Sequence, residues 1–428
     1  MKGKWMAIAA LVVVAVVIIS AIGYMMVQSD EDEPLLIDGD TELAEAADEH
    51  NWPGSGTEDD PYVISSLEID VSGDRRCVSI SNTTEHVVIQ GCQLVISVDE
   101  QSSNNGCGII LFQASNVTLK DITIRSVGSG LALNLCDNLD IRRLDVQGTV
   151  CELNMNDSNN CTFIDNTFYG EGTNMLNACR GNFLAKNSFT HIEGTGLTVN
   201  NCSENLFADD IFKGQVLGAG GTRGMVGLVL NGSDNNSFHS CSMLGSGYMS
   251  IGASAIESDG NFISGCNLVG RTGMYMVNSS QNILDFNDFR KASVVAIDMG
   301  GSDLNTMSWN FMNGTYSETG IRMSSCDENN VTFNWISGRS SASFLMHLNG
   351  SIGNSMAGNT FVYTGDVART LKLAFDDSGL NVWNDTEMGN QWSDWTSPDA
   401  DSDGIVDEPY VLEGGAGATD WLPMKDLT

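Results

Sequence analysis

From about Cys92 to Asn390 the chain repeats one short phrase: a small or polar residue, a spacer, then an apolar side chain, mostly every 21 to 25 residues. Asn166-Thr167-Phe168, Asn187-Ser188-Phe189, Cys241-Ser242-Met243, Asn287-Asp288-Phe289 and Asn359-Thr360-Phe361 are clear instances. Aligned on this phrase, residues 92, 122, 144, 166, 187, 210, 241, 266, 287, 310, 334, 359 and 390 share a leading column. Two positions on stand Leu94, Ile124, Val146, Phe168, Phe189, Phe212, Met243, Leu268, Phe289, Met312, Ile336, Phe361 and Trp392. All thirteen are apolar in a chain that is only 42% hydrophobic, so this column is predicted to face inward. Around the phrase apolar and polar residues alternate, as in Val117-Thr118-Leu119-Lys120-Asp121-Ile122-Thr123-Ile124. A period of two predicts short strands, and a repeat of this length predicts coils that bury their apolar faces on one another.

The leading column is mostly Asn or Asp, with Cys, Ile or Leu elsewhere, and a buried polar side chain needs a partner on every rung. Stacked Asn amides supply one another with it. A leucine-rich horseshoe has the wrong consensus. The expected fold is therefore all-β, a single-stranded right-handed parallel β-helix of about 13 coils.

The ends of the chain lie outside this pattern. Lys2 and Lys4 precede an uncharged, mainly apolar run over residues 5–27, long enough to span a bilayer, and Asp30-Glu31-Asp32-Glu33 follow it. The expectation is a cytoplasmic stub at 1–4, a signal-anchor helix at 5–27 and a large domain outside the cytoplasm. Secretion after signal cleavage is the alternative, since Ala21-Ile22-Gly23 resembles a processing site. Residues 28–50 read as an acidic linker, 51–387 as the β-helix and 388–428 as a C-terminal cap in which the period stops. Long gaps at Ser97 to Asn105, Gly214 to Gly224 and between 359 and 390 predict protruding loops.

Composition narrows the partners. Lysine and arginine total 20 against 55 acidic residues, a formal charge of -35, which excludes nucleic acid as a partner because binding it needs clustered cations. About a dozen Asn-x-Ser/Thr triplets, among them those at Asn82, Asn116, Asn231, Asn313 and Asn384, are candidate glycosylation sites on an extracellular domain.

Eleven cysteines follow the coil period: Cys92, Cys241 and Cys266 stand in the leading column, and Cys136, Cys179, Cys202 and Cys326 eight residues before it. They read as buried thiols, with a disulfide between neighbouring rungs such as Cys241 and Cys266 as the alternative. The 19 methionines, such as Met243, Met274, Met276, Met312 and Met323, read as core, and the five histidines are scattered. Copper is therefore not expected.

Asp399, Asp401, Asp403 and Asp407 with Gly404 match the first part of a calcium loop, in which alternate carboxylates converge at a sharp glycine turn. Tyr410 stands where an EF-hand places its bidentate Glu, so calcium is weighed against a metal-free acidic turn. Polysaccharide hydrolysis would need paired carboxylates. The adjacent pairs Asp209-Asp210 and Asp376-Asp377 are assigned structural roles, because Asp210 falls in the leading column and the second pair sits in a turn.

Gly56-Thr57 with Asp60-Pro61-Tyr62-Val63-Ile64, the Asn-rich coils, and Gly389-Asn390-Gln391-Trp392-Ser393-Asp394-Trp395 followed by Asp399 to Tyr410 resemble the NosD-type right-handed β-helix proteins over residues 51 to 424. The resemblance implies a carbohydrate-binding or sugar-hydrolase-like β-helix, and its namesake assists assembly of a copper site. The function expected is non-catalytic: binding of glycan or another surface component, or a cell-envelope scaffold, by a membrane-anchored extracytoplasmic domain. The alternatives are a carbohydrate-active enzyme of the lyase, hydrolase or epimerase class and a copper-handling accessory protein.

Overall fold

The computed structural model describes residues 33–103, 105–217, 223–313, 319–339, 343–366, 369 and 371–425. The chain winds into a right-handed parallel β-solenoid of about 12 turns. Most turns contribute a strand to each of three sheets, as Ser129–Asn134, Asp140–Arg142 and Asp145–Gln147 do in one coil. The first sheet has 14 strands and the second 13, while the third is divided into runs of nine and four strands around Asp288. Pairing within these three sheets is parallel, and equivalent residues stack directly, as in Ile141 on Leu119 and Phe163 on Ile141. That register places the inward column in a continuous core, and all thirteen of its residues are buried.

Rings within the core stack along the axis. Phe168, Phe189 and Phe212 form one file, with centroids 5.1 and 5.7 Å apart, and Phe207 lies 4.5 Å from Phe238 in a second. The repeat of about 4.8 Å between parallel strands is close to the separation at which aromatic faces pack.

The leading column forms the expected ladder. Asn166 donates its backbone N–H and its side-chain amide to Asn187 Oδ1, at 3.0 and 2.9 Å, and the same amide reaches back to the Ile141 carbonyl at 2.9 Å. The pattern repeats from Asn287 through Asn310, Asn334 and Asn359 to Asn390. A second ladder of the same construction was not anticipated: it runs from Asn182 through Asn205, Asn236, Asn261, Asn282, Asn305, Asn329 and Asn354 to Asn381. The two ladders flank the second sheet and satisfy the backbone at the tight turns on both sides of it. A column of Cys and Ser at the preceding turn adds a third, in which Ser258 Oγ accepts from the N–H of Ser233 and Ser279 Oγ from that of Ser258.

The eleven cysteines are free and buried, and no bridge joins Cys241 to Cys266; the Cys241 N–H donates to Cys266 Sγ at 3.3 Å instead. Burial pushes the thiols of Cys77, Cys107 and Cys161 up to about 12, far from a reactive thiolate.

The N-terminal boundary differs from the expectation. Residues assigned to an acidic linker form strand β1 (Leu35–Asp38) and helix α1 (Asp40–His50). β1 adds to the edge strand Arg76–Thr83 in parallel, and α1 buries Leu43 and Ala47 against the end of the core. Asp40 fixes the helix start by accepting from Thr83 Oγ1 at 2.6 Å and from the Thr84 N–H at 3.1 Å. Charge on the outer face hid the cap in the sequence, because two apolar side chains suffice to cover one coil end. The apolar run at 5–27 lies outside the described residues, among which no helix is long and apolar enough to cross a membrane. At the other end Trp383, Trp392 and Tyr410 close the core, with Tyr410 stacked on Trp392 at 4.1 Å.

Candidate functional site

The turn between the second and third sheets uses one left-handed residue per coil, immediately before the leading column. Its occupants include Asp121, Arg143, Asp165, Lys186, Asp209, Ser240 and Gly265, then Phe286, Trp309 and Phe333, then Gly358. Gly, Asn and Asp tolerate this conformation; a bulky aromatic pays steric strain there. Phe286, Trp309 and Phe333 adopt φ of 53°, 54° and 55° on three successive rungs. Their exposures are 61%, 53% and 40%, so core burial does not account for them.

The three rings stack into a platform along the helix axis. Phe286 and Trp309 lie 6.0 Å apart at 9°, and Trp309 and Phe333 lie 4.7 Å apart at 12°. Gly358 lets the platform extend over the next rung, because a Cβ there would stand 2.6 Å from the Phe333 ring. A second aromatic pair, Phe311 and Trp335, rises from the third sheet at a centroid separation of 6.2 Å. Between the two rows runs a groove of about 320 Å³, floored by Asn310 and Asn334 and closed by Gly358 and Thr360. On the other flank, Asp285, Ser308 and Thr332 stand in register on the second sheet, with Ser308 Oγ donating to Asp285 Oδ1 at 2.8 Å. The site therefore combines flat apolar faces with a parallel row of hydrogen-bonding groups.

The acidic C-terminal loop is the other place where functional residues gather. One carboxylate oxygen from each of Asp399, Asp401 and Asp403 lies within 4.8 Å of the others. Gly404, at φ 93°, makes the sharp turn. Asp407 does not join this group; its Oδ2 accepts the Ala400 N–H at 2.7 Å and ties the loop's ends together. Tyr410, in the place of a twelfth ligand, is spent on the cap, its hydroxyl accepting from the Leu373 N–H and donating to Asp394.

Each carboxylate pair weighed for hydrolysis has a member engaged structurally. Asp210 is a rung of the first ladder, and Asp376 accepts from Ser378, Asn381 and Trp383 Nε1. Outward carboxylates on adjacent rungs also serve the backbone: Asp234 Oδ1 accepts the Asp259 N–H at 2.8 Å, and Asp303 Oδ1 the Asp327 N–H at 2.8 Å. On the outer face of the first sheet Asp298 is held by Arg322 in a two-point ion pair, at 2.8 and 2.6 Å. His347, the next residue in that row, packs against both Phe344 and Phe375, and burial lowers its pKa.

The aromatic platform was missed by sequence reasoning, although its signal is present: the position before the leading column changes from Asp, Lys, Ser and Gly to Phe, Trp, Phe. Only knowledge that this position is left-handed makes the change informative.

Two family models match the chain, "Right handed beta helix region" over residues 107–220 and "Periplasmic copper-binding protein (NosD)" over residues 218–397. No curated protein matches the sequence. Among solved structures, the Azotobacter vinelandii mannuronan C-5 epimerase AlgE4 A-module is 13% identical, with 76% of this chain and 93% of that chain covered and a TM-score of 0.37. Bacteriophage CBA120 tailspike protein 3 is 11% identical, with 86% and 62% covered and a TM-score of 0.36. An exopolygalacturonase from Thermotoga maritima is 8% identical, with 76% and 88% covered and a TM-score of 0.33. The cysteines of this chain are buried, Met243, Met274, Met276, Met312 and Met323 lie in the core, and among the described residues Asp399, Asp401 and Asp403 are the His, Cys, Asp or Glu side chains that converge in threes. The chain is a right-handed parallel β-helix repeat protein, and its residues 218–397 match the NosD family model.

Proposed function

We propose that this protein is a non-catalytic β-helix that binds a neutral glycan along the Phe286, Trp309 and Phe333 platform, displayed outside the cytoplasm by its N-terminal apolar segment. The observation that carries the reading is the placement of three bulky aromatics in strained, exposed turn positions that Asp or Gly fill on neighbouring rungs. Backbone strain retained where packing does not require it points to use. A pyranose ring offers a face of C–H bonds to a π-surface and a rim of hydroxyls to polar neighbours. The platform supplies the first partner, and Asp285, Ser308 and Thr332 supply the second. Successive rings along one axis suit an extended chain of sugars better than a single one. The net charge of -35 favours a neutral glycan over a polyuronate.

The test is retention on an array of neutral and uronate oligosaccharides, compared between the wild type and Trp309→Asn. Asn accepts the left-handed turn, so relief of about 1 kcal/mol of strain offsets the lost ring contacts and the melting temperature stays near that of wild type. Affinity for the retained neutral glycan falls at least about tenfold, ~1.4 kcal/mol. Equal retention by the variant, or retention of uronates alone, would overturn the assignment.

A further inference from the structure

The acidic loop of the C-terminal cap holds an oxygen that its own structure leaves unused. The Asp399 side chain is 4% exposed, and its Oδ1 is buried with no hydrogen-bond partner. Its other oxygen is committed, accepting the Gly404 N–H at 3.3 Å and lying 3.7 Å from Lys425 Nζ. A buried carboxylate oxygen without a donor is costly, and the loop gathers two further carboxylates about this side chain, one oxygen of each residue lying within 4.8 Å of the others. Asp401 and Asp403 are otherwise engaged only with local backbone, at 3.3 Å to the Asp403 N–H and 2.8 Å to the Ile405 N–H. Three like charges gathered in this way repel one another unless a cation lies among them.

We propose that Asp399, Asp401 and Asp403 bind a calcium ion that locks the C-terminal cap onto the last coil. Calcium accepts six to eight oxygen ligands in loose geometry, so water completes a shell that three carboxylates begin. The alternative hard cation, magnesium, demands a stricter octahedron and gives up its water reluctantly. Three carboxylates without a bidentate Glu set a weak site, on the order of 10⁻⁴ to 10⁻³ M, a range that saturates outside a cell rather than inside one.

The loop's contacts define what the ion would hold. The Val406 N–H donates to the Pro423 carbonyl at 2.7 Å and the Lys425 N–H to the Gly404 carbonyl at 3.0 Å. The strand segment so held continues to Met424, which pairs with Gln391 on the last rung of the third sheet. Ordering residues 399–407 therefore fixes the segment that covers the end of the core.

The experiment uses the full chain, stripped with chelator and titrated with CaCl₂ at constant ionic strength, because a charge of -35 attracts any cation to some degree. Calorimetry and thermal melts are read on wild type, on Asp401→Asn/Asp403→Asn, and on Glu58→Gln/Asp59→Asn, which removes two charges from an exposed turn elsewhere. A saturable isotherm near one ion per chain, with a melting temperature raised by several degrees in millimolar calcium, is expected for wild type and the Glu58/Asp59 variant. The Asp401/Asp403 variant should lose both, while its calcium-free melt stays at or above that of wild type as repulsion is relieved. No saturable binding by wild type, or an equal shift in the Asp401/Asp403 variant, would sink the proposal.

Discussion

Asp210 shows how one atom changes a rung. Asn187 donates its backbone N–H and its amide to Asp210 Oδ1, at 2.7 and 2.9 Å, so this oxygen does what an Asn carbonyl does. The other oxygen, Oδ2, is buried without a partner, where each neighbouring Asn places an amide that donates to a carbonyl. Burial pushes the Asp210 carboxyl up to about 7, and burial likewise pushes up Glu152, also to about 7, whose Oε2 is orphaned too. Since both folded values exceed the unfolded ones near 4, the native state holds more protons than the unfolded state between about pH 4 and 7. Stability therefore falls as pH rises through that window, and the loss is complete above it. Asp210→Asn restores the donor and removes the titration. Its advantage over wild type should be on the order of 2 to 4 kcal/mol at pH 8 and should shrink toward pH 4, as urea melts at the two values would show. A constant difference across pH would mean that Asp210 does not titrate in this range.

At the scale of elements, the three-residue strands of the second sheet owe their regularity to the ladders beside them. Asn310 accepts from the backbone and amide of Asn287 and donates to Asn334 and to the Leu284 carbonyl. Asn310→Ala leaves those buried groups unpaired on two rungs, a cost of about 3 kcal/mol or more, whereas Ser308→Ala, at the end of the adjoining strand Thr306–Ser308, loses one half-buried contact and costs well under half as much. Denaturant melts of the two variants test the ranking. The first ladder was legible because its Asn precedes a buried apolar residue by two, giving it a hydrophobic marker. The second stands five residues before the first on most rungs, as Asn182 does before Asn187 and Asn305 before Asn310, and carries the same marker, with buried Leu184 and Met307 two positions on, so it was equally legible. The acidic loop was legible from spacing alone, except at Asp407, whose direction depends on the Ala400 N–H. The change to Phe, Trp and Phe before the leading column is present in the sequence, but the left-handed conformation that gives it meaning is imposed by stacking on neighbouring rungs.

For the whole molecule, the decisive question is how a column of strands ends. The terminal coils present unpaired backbone and an open core, which invites a second chain to add on. At the C-terminus the tryptophans and Tyr410 fill the opening; at the N-terminus β1 and α1 do so, with Gly39 donating to the Ser81 carbonyl at 2.8 Å and Trp52 packed beside the core. The two readings of residues 28–50 diverge at this point. If the segment were a spacer, a chain beginning at Asn51 would behave as one beginning at Glu33 does. As a cap, its removal uncovers the Arg76–Thr83 edge and the apolar side chains beneath Leu43. Comparison of chains beginning at Glu33 and at Asn51 by light scattering should show a monomer for the first and concentration-dependent association for the second, strongest in high salt, where the repulsion from a charge of -35 is screened. Charge keeps separate molecules apart along their sides, but at the ends geometry must do it, and a strand with a short helix is the least chain that covers both the edge and the core.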